Sequence, residues 1–372
     1  MALYPAFVQA AMLFDDDRPI DLAAVAETFV ARWRALGISF DLLVDSRPGE
    51  FYRLMGSNDL MVSVELLDHR ADVSLFGPAL GLPFNRQAVP DAAVRIDRHR
   101  RHVLVGVQHG VLPPSAELDA LLAQLDMPKP GATLPQFRER LAVCADLVAD
   151  VEAHAASSLV HWTVTDHLVT AEQIATFSRN PAPNLLSVQP LLYDGGVDAD
   201  GRQLTELATF GVAHFLGREI RVPASPLPWA AVFEAVLAFV RFSVQEKGYV
   251  VPDGDTFGPE DGSSRWRVEH VPAGAGSGAF TGPLYVLRPL AHRDLGWTAP
   301  GHVDKPRRFD DRSVPDDIRA GLGTGARDLV REWRTRREAA EAAGARLELL
   351  ADAARPSSGG WLSRLTASFR RR

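Results

Sequence analysis

Apolar and polar stretches follow one another along this chain in the order strand, helix, strand, strand, helix, strand, and that order is predicted twice within the first 290 residues. A chain patterned in this way must bury helices against sheets. In the first copy, residues 7–14 form an apolar run that reads as a buried strand. Asp21 then caps a helix over 22–36, in which Leu22, Val25, Phe29 and Trp33 recur at helical spacing. Gly37 ends that helix. Strands are predicted at 39–44, 60–67 and 73–76, a Gly/Pro-rich loop at 77–83, a polar helix at 91–100 and a last strand at 102–107.

The second copy has a strand at 159–164, a helix at 171–178 and strands at 185–193, 204–210 and 219–222. An apolar helix at 229–246 follows, then strands at 265–271 and 280–287. Phe233, Leu237, Val240 and Val244 lie on one stripe of that helix, with Trp229, Val236 and Phe239 beside it, so burial on several sides is expected. The first helices share a faint echo, Ala26-Glu27-Thr28-Phe29 against Ile174-Ala175-Thr176-Phe177. The expected fold is therefore α+β, two ferredoxin-like β-α-β-β-α-β sandwiches in tandem. These occupy 1–112 and 156–290, with linking helices at 113–155 that Pro128 and Pro130 interrupt.

Length and charge agree with that division. The 372 residues suit about two domains. Net charge is −7, from 40 Lys and Arg against 47 Asp and Glu, which argues against a protein that coats nucleic acid. The charge is unevenly placed. Residues 300–372 hold 16 basic and 11 acidic side chains, a net of +5, which leaves −12 on the rest. A helical extension is expected over 291–355, with one long polar helix at 328–354, then a flexible linker and tail at 356–372. The single cysteine, Cys144, lies in an apolar helical pattern and reads as a small core residue. Met1 to Phe14 carries no Lys or Arg, and Asp15, Asp16 and Asp17 stand where a signal peptide would place small residues. No stretch approaches the roughly 18 apolar residues of a membrane span. A cytoplasmic protein is expected.

Two stretches have a recognisable shape. One is Thr209-Phe-Gly211-Val-Ala-His-Phe215-Leu-Gly217-Arg-Glu219-Ile220; the other is Gly248-Tyr-Val-Val-Pro-Asp253-Gly254-Asp255-Thr256-Phe-Gly258. Together they resemble the C-terminal signature of the bacterial family called domain of unknown function 4261. The strand Arg101-His102-Val-Leu-Val-Gly106-Val is similar to that family's earlier His-led strand. The resemblance spans most of 1–288 and leaves out the basic C-terminal part. It implies no assigned activity, cofactor or catalytic residue.

Two clusters carry functional groups. In the loop at 253–258, Asp253 and Asp255 flank Gly254, and Thr256 adds a hydroxyl; such a set can hold a hard divalent cation. The same residues also make a turn, with the glycines free to take positive φ. In His161-Trp-Thr-Val-Thr-Asp166-His167, a His-Asp-His group at a strand's end can bind a transition metal or act as an acid–base pair. Asp166 equally suits a turn before Thr170. No nucleophile elbow, phosphate-binding Gly-Lys-Ser/Thr loop or His-Glu-x-x-His pair is present. Gly321-Leu-Gly323-Thr-Gly325 follows a polar segment, so it lacks the context of a dinucleotide loop. The basic cluster from Arg98 to His102 reads as a solvated helix end or an anion-attracting patch.

At the C-terminus, Trp361, Leu362, Leu365 and Phe369 form one apolar stripe if helical, with Arg364, Arg370, Arg371 and Arg372 as its basic counterpart. That composition suits an anionic membrane surface or docking on a protein. The expected function is a non-catalytic binding module for another macromolecule, most readily a protein, with no cofactor. The alternatives are a hydrolase whose metal sits among His161, Asp166, His167, Asp253 and Asp255, and a peripheral membrane adaptor acting through the tail.

Overall fold

The computed structural model describes residues 4–110, 116–125, 131, 133–245, 250–259, 262–274 and 282–302. Residues 303–372, with most of the expected extension and all of the tail, and Gly248 lie outside the described residues; the described start of the extension is not α-helical, since 291–292 end one strand and 297–298 pair back on it. The chain divides into two units, Met1–Gln189 and Pro190–Arg372.

In the first unit, β1 (Phe7–Phe14) leads to α1 (Leu22–Ala35), whose N-terminus is capped by Asp21 Oδ1 accepting from the Ala24 amide. Strands β2 (Phe40–Leu42), β3 (Phe51–Gly56) and β4 (Leu60–Leu67) follow as an antiparallel meander. Then come α2 (Gly77–Gly81), α3 (Pro83–Ala88), α4 (Ala92–Arg98), β5 (Arg101–His109), α5 (Ala116–Gln124) and the long α6 (Leu134–His154). Strands β6 (Leu159–Trp162) and β7 (His167–Val169) make a hairpin before α7 (Ala171–Phe177).

The sheet runs β2-β3-β4-β5-β1-β6-β7, every pair antiparallel. Helices α1 and α6 pack on each other and on the sheet, burying Phe29, Phe137, Leu141, Cys144 and Val148. Each such side chain contributes about 1.5–3 kcal/mol of transfer free energy. A second cluster joins Leu13, Leu159 and Leu168 of the strands to Phe76, Ala79, Val89, Ala92 and Ile96.

This arrangement corrects the expected sandwich. A split β-α-β-β-α-β unit sets its first strand between the strands at 60–67 and 102–107. Here β5 lies between β4 and β1, and β1 gives its other edge to β6. Two things produce the change. Residues 51–56, which the pattern had left without a strand, extend the meander, their burial alternating along β3. The strand at 159–162, expected to open a second domain, pairs with β1 through Ala11 and His161. The helices at 113–155 are accordingly not a linker; α6 is a core element of the first unit, started by a capping box of Thr133 and Gln136. Residues 73–76 form a 3₁₀ turn rather than a strand, and 77–88 are two short helices rather than a loop.

The second unit holds β8 (Gln189–Val197), β9 (Gln203–Phe210), α8 (Ala213–Leu216), β10 (Glu219–Ser225), α9 (Trp229–Gln245), β11 (Thr256–Phe257), β12 (Ser264–Val271), β13 (Leu284–His292) and β14 (Trp297–Thr298). Its sheet is ordered β11-β12-β13-β10-β9-β8, with β14 beside β13. Strands β10 and β13 are parallel, which demands a crossover, and α9 lies within that connection. Phe233, Val236, Phe239 and Val240 of α9 are buried, and the Phe239 ring meets Phe257 and Tyr285 at 5.3 and 6.0 Å. The all-round apolarity of this helix is thus used for burial. Among the described residues no helix is long and apolar enough to cross a membrane.

Candidate functional site

The hairpin β6–β7 carries the His-Asp-His group. Its register sets Trp162 against His167 and His161 against Leu168, so the pleat sends the two histidines to alternate sides. Their partners differ accordingly. His161 Nε2 donates to Asp166 Oδ1 at 3.0 Å, and its ring packs on Phe76. Asp166 takes a left-handed φ of 52°, a conformation Asp tolerates, and its carbonyl accepts from Asn85 Nδ2 at 2.6 Å.

His167 is fully buried. Its Nε2–H donates to the Leu185 carbonyl at 2.6 Å, and its Nδ1 accepts from Gln189 Nε2 at 3.2 Å. The same Gln189 amide also donates to Asn85 Oδ1. Both ring nitrogens are engaged, and burial brings the His167 pKa down to about 4, so the ring is neutral. His161 and Asp166 therefore form a couple, while His167 holds the backbone at 185.

In the second unit the Asp253–Gly258 loop is stitched to β12. Asp253 Oδ1 accepts the His270 amide at 2.9 Å, Gly254 donates to Val268, and Val268 donates back to the Asp255 carbonyl. His270 Nε2–H donates to the Val251 carbonyl at 2.8 Å. Thr256 pairs with Arg267 in the ladder. Gly258 approaches the Ser264 carbonyl so closely that a Cβ there would collide with it. These bonds make the loop a turn built on Asp253.

The segment from Thr209 to Ile220 has an equally local explanation. The half-buried Glu219 carboxylate accepts Thr209 Oγ1–H at 2.6 Å and the amides of Gly211, Val212 and Ala213 at 2.8, 3.2 and 3.2 Å. It thereby satisfies the open N-terminus of α8. Burial pushes this carboxyl above its usual range against the lowering effect of those four donors. Gly211 and Gly217 sit at φ 106° and 74°, Gly217 as the left-handed cap of α8, and Phe215 is buried. Asp255 is also buried.

The basic cluster at 98–102 meets the three aspartates. Antiparallel pairing sets Phe14 against Arg101, which brings the Asp triplet after β1 to the start of β5. Arg98 lies 3.6 Å from Asp15, Arg100 3.1 Å from Asp17 and Arg101 4.0 Å from Asp16. The two histidines of the cluster point inward. His99 accepts from the Ala71 amide at 2.9 Å, and His102 donates to the His69 carbonyl at 2.9 Å. Burial also raises the Cys144 thiol pKa, which keeps it a protonated core group.

One functional-looking group went unnoticed in the sequence. Arg140 of α6, wholly buried, donates to the Pro5 and Gly131 carbonyls and to His109. The signal was a charged residue within an apolar helical pattern, beside Phe137, Leu141 and Cys144. Among the described residues, no three of His, Cys, Asp and Glu converge as a metal-ligand group. The His161 couple belongs to the first unit and the Asp253 loop to the second. No family model, no curated protein and no solved structure matches this chain.

Proposed function

We propose that this protein is a non-catalytic binding module that recognises another protein through its acidic body. The observation that carries this reading is the use to which its reactive-looking side chains are put. His167, Asp253, His270 and Glu219 each hold main chain in place, and His161 is paired with Asp166. Residues 1–299 carry a net −12, which steers a basic partner toward them. We also propose, on the likeness at 209–220 and 248–258, membership of the domain of unknown function 4261 family and a cytoplasmic location.

The test is a capture from the native cells, read by mass spectrometry, with the full chain and with a chain ending at Ser358. One stoichiometric basic protein, retained by the shorter chain, is the expected result. Its association rate should fall steeply as salt is raised across the range where the Debye length shrinks from about 30 to 10 Å. A salt-insensitive rate removes the role of the acidic body. Capture that disappears with residues 359–372 assigns recognition to the tail instead.

A further inference from the structure

We propose that Arg140, His109 and Glu139 form an acid-sensitive clasp, which holds the segment ahead of β1 against α6 and releases it when His109 takes up a proton. This goes beyond binding: it makes part of the surface of the first unit depend on pH.

The argument begins with Arg140. Its Nη2 donates to the Pro5 carbonyl at 2.7 Å and to the Gly131 carbonyl at 2.9 Å, and its Nη1 donates to His109 Nδ1 at 2.9 Å. A nitrogen that accepts carries no hydrogen, so the ring proton of His109 lies on Nε2, which faces Glu139 Oε2 at 3.3 Å. The tautomer is set from both sides and the imidazole is neutral. A second proton can enter only at Nδ1. There it turns an acceptor into a donor aimed at a guanidinium N–H and brings two cations together in a buried place.

A Cβ at Gly131 would collide with the Arg140 Nη1, so the loop that Arg140 holds lies close against its guanidinium. The charged groups facing His109 are Arg140 and Glu139 from α6 and Asp59 from the β3–β4 turn. Asn58 of the same turn donates to Glu139. Burial and Arg140 oppose the proton, Glu139 and Asp59 favour it, and the balance holds the His109 pKa below its usual value. Once the clasp is open the ring returns toward about 6.5, so opening takes up a proton below that pH. The released segment is short and specific: the Pro5 carbonyl loses its donor, and the Tyr4 ring, 5.6 Å from Phe137, loses its hold on α6.

The experiment follows amide hydrogen exchange of the segment at residues 4–10 in the full chain between pH 7.5 and 5, as protection factors corrected for intrinsic rates. In the native protein, protection is expected to fall by up to about tenfold per pH unit below about 6.5. In His109→Gln, whose amide can accept from Arg140 and donate to Glu139 without titrating, protection should stay within about twofold over the range. A flat native profile overturns the clasp, as does a variant that falls in parallel with it. Urea unfolding at pH 7.5 checks that the variant is folded. If it is not, Glu139→Gln decides: removing the carboxylate that favours protonation of the closed clasp must leave the onset near about 6.5 and carry the loss of protection further down in pH, and a loss that levels off at the native pH or above it overturns the proposal.

Discussion

In the first unit, buried polar side chains reach across the chain. Gln189 bonds Asn85 over 104 residues, and Arg140 bonds Pro5 over 135. In the second unit the reach is shorter: Thr209 and the half-buried Asp253 bond Glu219 and His270 over 10 and 17 residues, and buried Arg218 meets the Val271 carbonyl over 53. The paired surface charges keep to the same habit, Arg221 with Glu206 over 15 and Arg288 with Glu269 over 19. The two sheets explain the contrast. An antiparallel sheet whose first strand takes a partner from 159–162 must knit distant segments into one core, and its polar ties go where that core brings the segments together. A sheet made of two local strand groups around one crossover helix leaves each turn to hold itself. Long ties are thus products of tertiary packing, whereas short ties resemble motifs.

The largest expected effect tests the long ties. Arg140→Met keeps most of the side-chain volume and leaves the Pro5 and Gly131 carbonyls and His109 Nδ1 without their donor in a buried place. A loss of about 3–5 kcal/mol is expected, read as the fall in exchange protection across β1, β5 and α6. A loss below about 1 kcal/mol would mean that these carbonyls find other donors, and that the distant ties are dispensable.

That distinction also decides what could be read from the sequence. The α1, α6, α7 and α9 helices, the Asp21 cap and most strands are legible because helical periodicity, capping residues and glycines act over a few residues. The turn at 253–258 and the bend at 211–217 are legible for the same reason, although their carboxylates hold main chain. The partner of β1 was not legible. Both 102–107 and 60–67 are apolar enough to flank it, and nothing near residue 11 announces that residue 161 will pair with it. The apparent duplication arose from that gap, since β6, β7 and α7 follow α6 in the order a second domain would use. Residues 51–56 hold Arg53 within an otherwise apolar run, and its side chain lies over the Phe51 ring at 5.1 Å without breaking the strand. Arg140 was missed because, as the third of three consecutive charges, Arg138-Glu139-Arg140, it reads as part of a solvated face, and nothing nearby announces the carbonyls it will meet.

A second effect separates the units by pH. His167 is neutral in the fold with a pKa of about 4, and in the unfolded chain it titrates near 6.5. Its contribution is therefore fully present above about pH 6.5 and is lost as pH falls toward 4, by about 3 kcal/mol in all. Urea midpoints measured across that window should decline in the native chain and decline less in His167→Gln. An identical slope in both would show that the ring is protonated within the fold, so that the network through Gln189 and Asn85 tolerates a charge.

The smallest effect tests whether a local tie is as independent as its short reach suggests. Glu219→Gln presents an amide N–H where the carboxylate accepts three backbone amides and one hydroxyl, so at least one buried donor must go unmet. A cost of about 1–3 kcal/mol is expected, confined to 209–222 in exchange measurements. Burial raises the Glu219 pKa, so the cost of ionising the native carboxylate in the fold grows as pH rises above about 4.5. The gap between native and variant should consequently be wider at pH 5 than at pH 8. If lost protection instead spread through α9 and β13, the tie at Glu219 would be carrying the parallel join of β10 to β13. The second unit would then depend on long-range packing as much as the first.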